Sequence, residues 1–421
     1  MTKKLLFLLK NKQFFNISVY GFGQLFNLVT PLLVVPYIVS ICGEEKFGKS
    51  AVGMAVCFFL MVFIDYGSDL VGVREVSINR ENKPQLERIF TTTYFAKFIL
   101  LVCVLSIITL LFLKIPFFKS DKNLFFLGFS VLIGQYLNPT WFLQGIENVK
   151  WITISNIISK TSYIILIFFF IRVEQDYIFI NLFWGLGMIL SNGIFFLLII
   201  KKYNFSFKQC SKHHVSLLLK SDFKLFTSQI FVSIQMYSPV ILISYFGSNL
   251  MAGQYKIVEQ VILIFKTYIL LFFNYVFPRV CYLLNTNKER GLFHWKIYNG
   301  VNFVFVSAAM IIFYFNSYDI VSYFNPTNRY VLSNLLQIAV LYPVLFAVSI
   351  PLKQLVLGWD FKDYYISLTS IIVIVTLLGI IVLIPYYQVY GVFYSLIISE
   401  VLIILFYFLC IKNKLFAKNK L

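Results

Sequence analysis

The chain has 421 residues, of which 59% are hydrophobic and only 13% are charged. Soluble domains contain about 25% charged residues, so this composition excludes a soluble globular protein. The formal net charge of +18 would suggest nucleic-acid binding in a soluble protein, but here most basic residues lie in short gaps between apolar runs. We therefore interpret the charge as a determinant of membrane orientation and expect no nucleic-acid partner.

About 12 apolar runs are long enough to cross a bilayer, since about 20 helical residues span about 30 Å of hydrocarbon. These runs predict an all-α polytopic membrane protein with about 12 transmembrane helices. The runs lie near 14–40, 50–72, 92–114, 123–143, 152–171, 177–200, 222–246, 252–277, 297–316, 330–357, 364–385 and 389–411.

Basic residues are concentrated in one set of connections between the runs, which includes both terminal segments and the connection around 201–224. The other set contains only Lys46, Lys49, Lys114, Lys119, Lys122, Arg172 and Arg329. Because Lys and Arg are enriched in cytoplasmic loops, the sequence predicts that both termini are cytoplasmic.

The basic connection around 201–224 divides the chain into an N-terminal lobe at 1–205 and a C-terminal lobe at 206–421, each with six predicted helices. An even number of helices per lobe makes the lobes parallel repeats related by an axis along the membrane normal. The first and seventh runs agree with such a repeat, since each contains a glutamine followed by proline, and two glycines follow each run.

The second run ends in a charged stretch that contains Asp65, Asp69 and Arg74. An ionised side chain near the bilayer centre costs about 2.5–3.5 kcal/mol on insertion scales, so this stretch either leaves the membrane or faces a polar interior. Asp65 and Asp69 are four residues apart and share a face, whereas Arg74 points away from Asp65 on a straight helix. We expect the two acids to need a polar interior and Arg74 to mark the cytoplasmic edge.

Further basic residues occur at membrane depth. Lys160 lies about ten residues, or about 15 Å, from the cytoplasmic edge, which favours a cavity role over an ion pair between packed helices. Lys97 is shallower, and snorkelling to the interface is an equal alternative. The eighth run carries a polar stripe at helical spacing, which predicts a face lining a cavity. Its members are Lys256, Glu259, Gln260, Lys266 and Asn274.

Prolines interrupt the first and seventh runs. Gln24, Asn27 and Pro31 share one face of the first run, Pro36 follows a turn later, and Pro239 lies in the polar part of the seventh run. A proline frees a backbone carbonyl one turn earlier and permits a kink. We predict a pair of bending gate helices, with ordinary packing kinks as the alternative.

Motifs for catalysis, metal binding and nucleotide binding are absent from the sequence. The six cysteines are scattered, without a CxxC motif or a histidine at ligand spacing, and we interpret them as small buried hydrophobes. No glycine-rich phosphate loop precedes a Lys-Ser/Thr pair, which argues against ATP hydrolysis as the direct energy source. We therefore expect a transporter without catalytic residues, metal or cofactor. Because basic groups outnumber acidic groups at membrane depth, we expect an anionic cargo.

Several segments, taken together and in order, resemble the bacterial polysaccharide-biosynthesis flippases. The specificity comes from the order that the motifs share with that family, and the resemblance spans most of residues 15–280. The segments are 31–48, Asp65-Tyr-Gly with the following Arg74, 141–147, 253–259 and 277–279.

This resemblance implies membership of the multidrug/oligosaccharidyl-lipid/polysaccharide exporter superfamily and a fold of two six-helix bundles forming a V around a central cavity. It also implies transfer of an undecaprenyl-pyrophosphate-linked oligosaccharide, such as an O-antigen repeat unit, from the cytoplasmic to the periplasmic leaflet of the bacterial inner membrane. Asp65, Arg74 and Glu259 stand at acidic and basic positions of the family. Some related lipid exporters have more helices than we expect here.

Our hypothesis is that basic side chains hold the pyrophosphate while the lobes alternate access, with H⁺ or Na⁺ coupling or the membrane potential as the drive. An inside-negative potential favours outward anion movement by about 2.3 kcal/mol per charge per 100 mV. A polysaccharide polymerase and a chain-length regulator are candidate partners. The predicted pyrophosphate-binding residues are Arg74, Lys97, Lys160, Lys256, Lys266 and Arg279, and the predicted ion-coupling residues are Asp65, Asp69 and Glu259.

Two other function classes stay open. A drug or cation antiporter of the same superfamily needs a net acidic, aromatic cavity, which the excess of basic residues argues against. A membrane glycan polymerase or glycosyltransferase is the enzyme alternative. Such proteins usually carry a sizeable outward loop with catalytic groups, and the sequence predicts no such loop.

Overall fold

The computed structural model describes residues 12–207, 211–359 and 361–417, and it contains helices but no strand in these ranges. Ten of these helices are long and apolar enough to cross a membrane, which confirms the prediction of an all-α polytopic membrane protein. The helices are α1 (Lys12–Asp65), α2 (Val73–Ile78), α3 (Lys83–Lys114), α4 (Pro116–Lys119), α5 (Lys122–Leu127), α6 (Phe129–Tyr136), α7 (Thr140–Gly145), α8 (Val149–Phe170), α9 (Ile180–Tyr203), α10 (Lys212–Phe246), α11 (Asn249–Thr286), α12 (Lys288–Phe315), α13 (Ser317–Ser322), α14 (Arg329–Ala339), α15 (Leu341–Gly358), α16 (Lys362–Tyr387) and α17 (Val389–Ala417).

The difference between ten long helices and about 12 predicted spans has two sources. Helix α1 covers the first two predicted runs, and its non-helical residue is Gly43, with φ 77° and ψ 167°. Positive φ favours glycine, so the helix breaks there and not at its prolines. The fourth predicted run consists of three short helices, α5, α6 and α7, each too short to cross a bilayer alone.

Contacts group the chain into two compact units. Unit 1 comprises the residues up to Cys42 together with Lys49–Tyr237, and unit 2 comprises Gly43–Gly48 together with the residues from Ser238 onward. Helix α10 therefore contributes its first part to unit 1. The lobe boundary predicted after residue 205 stays a prediction.

The core of unit 1 at the base of α3 is aromatic. The ring of Phe90 lies 5.1 Å from that of Phe205 and 5.2 Å from that of Phe142, and all three side chains are buried. Trp141 and Tyr94 are buried in the same cluster. Aromatic pairs in such arrangements add about 0.5–1.5 kcal/mol each beyond the area they bury. This cluster fixes α3, α7 and α9 against one another beside the charged stretch.

Unit 2 contains a close crossing of two helix backbones. A Cβ atom at Gly48 would overlap the carbonyl of Asn249, and a Cβ atom at Gly253 would overlap the carbonyl of Glu44. Small residues permit such approach between membrane helices. The Glu44 side chain is buried and accepts a hydrogen bond of 2.6 Å from the backbone N–H of Thr327, just before α14. Residues 43–48 are thereby fixed to unit 2.

Candidate functional site

A cavity of about 730 Å³ lies within unit 1, between the end of α1, the helices α2 and α3, and the first part of α10. Apolar side chains from these helices form much of its wall. Its ionisable side chains, excluding tyrosine, are Asp65, Arg74, Glu75, Arg88, Lys97, His213, His214 and Asp222.

A break in the helix directs Asp65 into this cavity. Helix α1 ends at Asp65 because Tyr66 and Gly67 adopt positive φ angles of 44° and 82°, and the π-helical turn Ser68–Gly72 follows. The Tyr66 hydroxyl donates a hydrogen bond of 2.9 Å to the carbonyl of Leu219. Asp65 and Asp69, which were predicted to share one face of a straight helix, are therefore separated by a helix break.

Asp65 is the centre of a buried polar cluster. Lys97 Nζ lies 3.0 Å from Asp65 Oδ1, and Gln135 Nε2 donates a hydrogen bond of 2.7 Å to Asp65 Oδ2. The Lys97 side chain is only 2% exposed, and its ammonium group lies 6.0 Å from the ring centre of Trp141. Lys97 is thus held in an ion pair between helices, and it does not snorkel to the interface.

Two arginines line the more open part of the cavity. Arg74 is 73% exposed, and its guanidinium lies 3.5 Å from the carboxylate of the neighbouring Glu75. Arg88, on α3, is also exposed. The sequence analysis did not single out Arg88, His213 or His214 as candidate site residues. Spacing alone contains no signal that brings residues so far apart in the chain to one cavity.

Other predicted residues of unit 1 lie elsewhere. Asp69 is exposed on the π-helical turn, outside the cavity lining but close enough to Asp65 for the two carboxylates to repel. Lys160 is half-buried on α8, with its ammonium group 3.3 Å from the ring centre of Trp184. This cation–π contact stabilises the charge at depth. The structure does not bring Lys160 to the cavity.

Asp121, in the connection between α4 and α5, forms another ion pair of unit 1. Lys49 Nζ lies 3.1 Å from Asp121 Oδ2, and Tyr177 and Ser120 donate hydrogen bonds to the same carboxylate. Burial raises the pKa of Asp121, but the hydrogen bonds from Tyr177, Lys49 and Ser120 outweigh it, and the pKa lies below its usual value. The carboxylate therefore favours its ionised form.

The predicted stripe on α11 lies in unit 2. Lys256 and Glu259 form an ion pair, and the Tyr255 hydroxyl donates a hydrogen bond of 2.9 Å to Glu259. The Lys266 ammonium lies 5.0 Å from the ring centre of Tyr342. Arg279 is exposed near the end of the same helix. These residues share a helix, but only the first two pair with each other.

Glu400 of α17 is a buried acid that sequence reasoning missed. It is 6% exposed, and its Oε2 has no hydrogen-bond partner among the described residues. Tyr342 and Ser349 of α15 approach its carboxylate, and Lys266 acts on it electrostatically. A single acid in the otherwise apolar run 389–411 is the signal that identifies it.

The predicted gate residues all fall within helices. Pro31 and Pro36 lie in α1 and Pro239 in α10, and Asn27 is half-buried. The side chain of Gln24 lies outside the part that the structure describes. Within that part, no group of three or more His, Cys, Asp or Glu residues is placed to hold a metal ion. Bending at the prolines stays a prediction.

A family model described as polysaccharide biosynthesis protein matches residues 14–283. A protein of Escherichia coli (strain K12), provisionally named an O-antigen transporter, is 23% identical over 266 residues, covering 63% of this chain and 64% of its own length. A protein of Shigella dysenteriae with the same provisional name is 25% identical over 395 residues, covering 92% and 96%.

Solved structures share the fold at low sequence identity. An inward-facing multidrug resistance transporter of the MATE family, in the MOP superfamily, has a TM-score of 0.73 at 15% identity, covering 96% of this chain and 98% of its own. The lipid II flippase MurJ, in an inward closed conformation, has a TM-score of 0.69 at 15% identity, covering 94% and 87%. This likeness supports the fold class predicted from the sequence.

Proposed function

Because the chain belongs to the polysaccharide biosynthesis protein family, we propose that it is a flippase for a lipid-linked oligosaccharide. The observation that carries this proposal is the family match over residues 14–283, which includes every residue of the unit 1 cavity. The provisional names of the two relatives point to O-antigen transport. The proposed substrate is an undecaprenyl-pyrophosphate-linked repeat unit, carried from the cytoplasmic to the periplasmic leaflet.

The unit 1 cavity suits the headgroup of such a lipid. Arg74 and Arg88 present guanidinium groups, whose planar array of donors matches phosphate oxygens. Lys97 is already engaged by Asp65, so it supports the cavity wall and leaves direct contact to the arginines. Lys160, Lys256, Lys266 and Arg279 remain proposed contacts for later stages of transport.

Alternating access is the proposed mechanism, since secondary transporters expose a site to the two sides of the membrane in turn. Asp65, Asp69 and Glu259 are proposed to couple the movement to H⁺ or Na⁺, and the membrane potential adds to the drive. We place the protein in the bacterial inner membrane with both termini cytoplasmic. A polysaccharide polymerase and a chain-length regulator are its proposed partners.

A deletion strain tests the function directly. Loss of the protein is expected to remove surface glycan and to leave lipid-linked repeat units in the inner leaflet, while the wild-type gene restores both. Lys160→Ala and Lys266→Ala variants are expected to insert normally but to lose glycan display. If both variants display glycan normally, the proposed contacts of Lys160 and Lys266 with the pyrophosphate are rejected.

The same strain separates the alternatives. Repeat units that accumulate in the outer leaflet would identify a polymerase instead of a flippase. Resistance to cationic dyes that depends on the protein, with normal glycan display in its absence, would identify a drug antiporter. Either result would overturn the proposed function.

A further inference from the structure

Two of the three histidines of the chain stand side by side in the unit 1 cavity. His213 and His214 lie at the start of α10, and both line the cavity wall. Nδ1 of His214 is buried and has no hydrogen-bond partner among the described residues. The third histidine, His294, is exposed on α12, where its Nδ1 lies 2.8 Å from the carbonyl of Arg290. The cavity therefore holds an adjacent histidine pair with one ring nitrogen that has no hydrogen-bond partner among the described residues, unlike His294.

The permanent charges of the cavity cancel. Lys97 is closed on Asp65 at a distance of 3.0 Å, and the guanidinium of Arg74 lies 3.5 Å from Glu75. Arg74 and Arg88 can contact an anion that enters the cavity, but the net charge of the wall attracts it only when further positive charge develops there. The permanent charges of the wall are those of Arg74, Arg88, Lys97, Asp65, Glu75 and Asp222.

Protonation of the histidines supplies that charge. Histidine is the side chain whose ordinary titration falls between about pH 5 and 8. A proton on His213 or His214 adds a positive charge to the wall that also carries Arg74 and Arg88. Because proton and anion then attract each other across the cavity, each raises the affinity for the other by the same factor.

We propose that His213 and His214 form a proton-binding wall of the headgroup site, so that a pyrophosphate diester enters the cavity together with protons. This inference rests on the proposed flippase function and deepens it. The acids that face the histidines are Glu75 on α2, Asp222 on α10 and the paired Asp65. The remaining lysines near this end of α10, Lys212 and Lys220, line a separate groove.

The test measures the affinity of the full-length protein in lipid nanodiscs for a short-chain prenyl pyrophosphoryl glucose. This probe is a pyrophosphate diester, so its own charge stays constant over the histidine range. We expect its Kd to fall with falling pH, by up to about tenfold per pH unit for each proton taken up. The double variant His213→Gln/His214→Gln is expected to lose this slope, while His294→Gln keeps it.

Equal melting temperatures of the double variant and the wild type, measured in the buffer of highest pH, verify that the double variant is folded. A slope that persists in the double variant assigns the proton uptake to Glu75 or Asp222 and overturns the inference. A wild-type Kd that does not change with pH also overturns it, although the flippase function stands if the protein restores surface glycan. If the protein neither binds the probe nor restores surface glycan, both the histidine inference and the flippase function are rejected.

Discussion

The ammonium group of Lys97 lies 3.0 Å from Oδ1 of Asp65, and both side chains are buried in unit 1. Loss of one partner leaves the other charge buried and uncompensated, which costs about 3–5 kcal/mol. We expect Lys97→Met to lower the melting temperature of the purified protein strongly. Adding Asp65→Asn is expected to recover part of the loss, because both charges are then removed.

Lys83→Met is the matched control, since Lys83 is exposed at the first turn of α3. It should leave the melting temperature nearly unchanged. If the loss in the Lys97/Asp65 double variant equals the sum of the two single losses, the side chains are not coupled and the pair has no energetic role.

We expect the close helix crossing at Gly48 and Gly253 in unit 2 not to tolerate one added methyl group. Gly253→Ala forces a Cβ atom into the carbonyl of Glu44, and overpacking of this kind costs about 1–3 kcal/mol. Gly300→Ala on α12 is the control, because nothing lies within 4 Å of its Cβ position. There alanine should be neutral or stabilising, by up to about 1 kcal/mol. Thermal unfolding in detergent measures both, and equal effects would refute the close crossing.

The Asp121 cluster predicts a dependence of stability on acid pH. The pKa of Asp121 lies below its usual value, so folding favours the ionised carboxylate. Its stabilising contribution is therefore present above the ordinary carboxyl pKa of about 3.9, and it disappears as the pH falls through the folded-state value. Asp121→Asn should melt earlier than wild type near neutral pH, and the difference should shrink in acid.

Glu81→Gln, at an exposed position, is the control for that titration. It removes a carboxylate without a buried ion pair and should leave the pH profile of the melting temperature unchanged. A constant difference between Asp121→Asn and wild type across the acid range would contradict the assignment.

We expect substitution of Arg88 to impair transport without impairing folding. Its exposed guanidinium lines the cavity proposed for the pyrophosphate, so Arg88→Gln should lower surface glycan, whereas Arg88→Lys should retain part of it. Arg80→Gln is matched to it, because Arg80 is exposed and bound to Glu147 at 3.2 Å outside the cavity. Glycan display and membrane abundance should be measured together. Normal display by Arg88→Gln would exclude a headgroup role for this residue.

Much of the fold follows from the sequence because apolar runs in a membrane protein must be helical to satisfy their backbone groups. The breaks were predicted only in part. The non-helical residue Gly43 lies in the gap between the first two predicted runs, whereas bending at Pro31 and Pro36 stays a prediction. Hydropathy gave no sign that the run 123–143 is three short helices.

Several residues of the cavity lining were singled out as candidates from the sequence, and their roles stay predictions. Asp65 and Arg74 were identified from their cost in lipid and from their family positions, and both line the cavity. The partner of Asp65 was not identified, because pairing with Lys97 depends on how α3 packs and on the helix break at Tyr66. His213 and His214 were not singled out within the basic connection around 201–224, since tertiary packing alone brings them to the cavity that Arg88 also lines.

The fragmentation of the fourth span constrains the order in which this protein is made. The backbone carbonyl of Gly134 accepts a hydrogen bond of 2.8 Å from Asn192, and Ser130 donates one of 3.3 Å to the carbonyl of Leu182. These partners belong to α9, two spans later in the chain. We therefore expect helices α5, α6 and α7 to reach their final packing only after residues 181–192 have been synthesised, because these residues supply the hydrogen-bond partners.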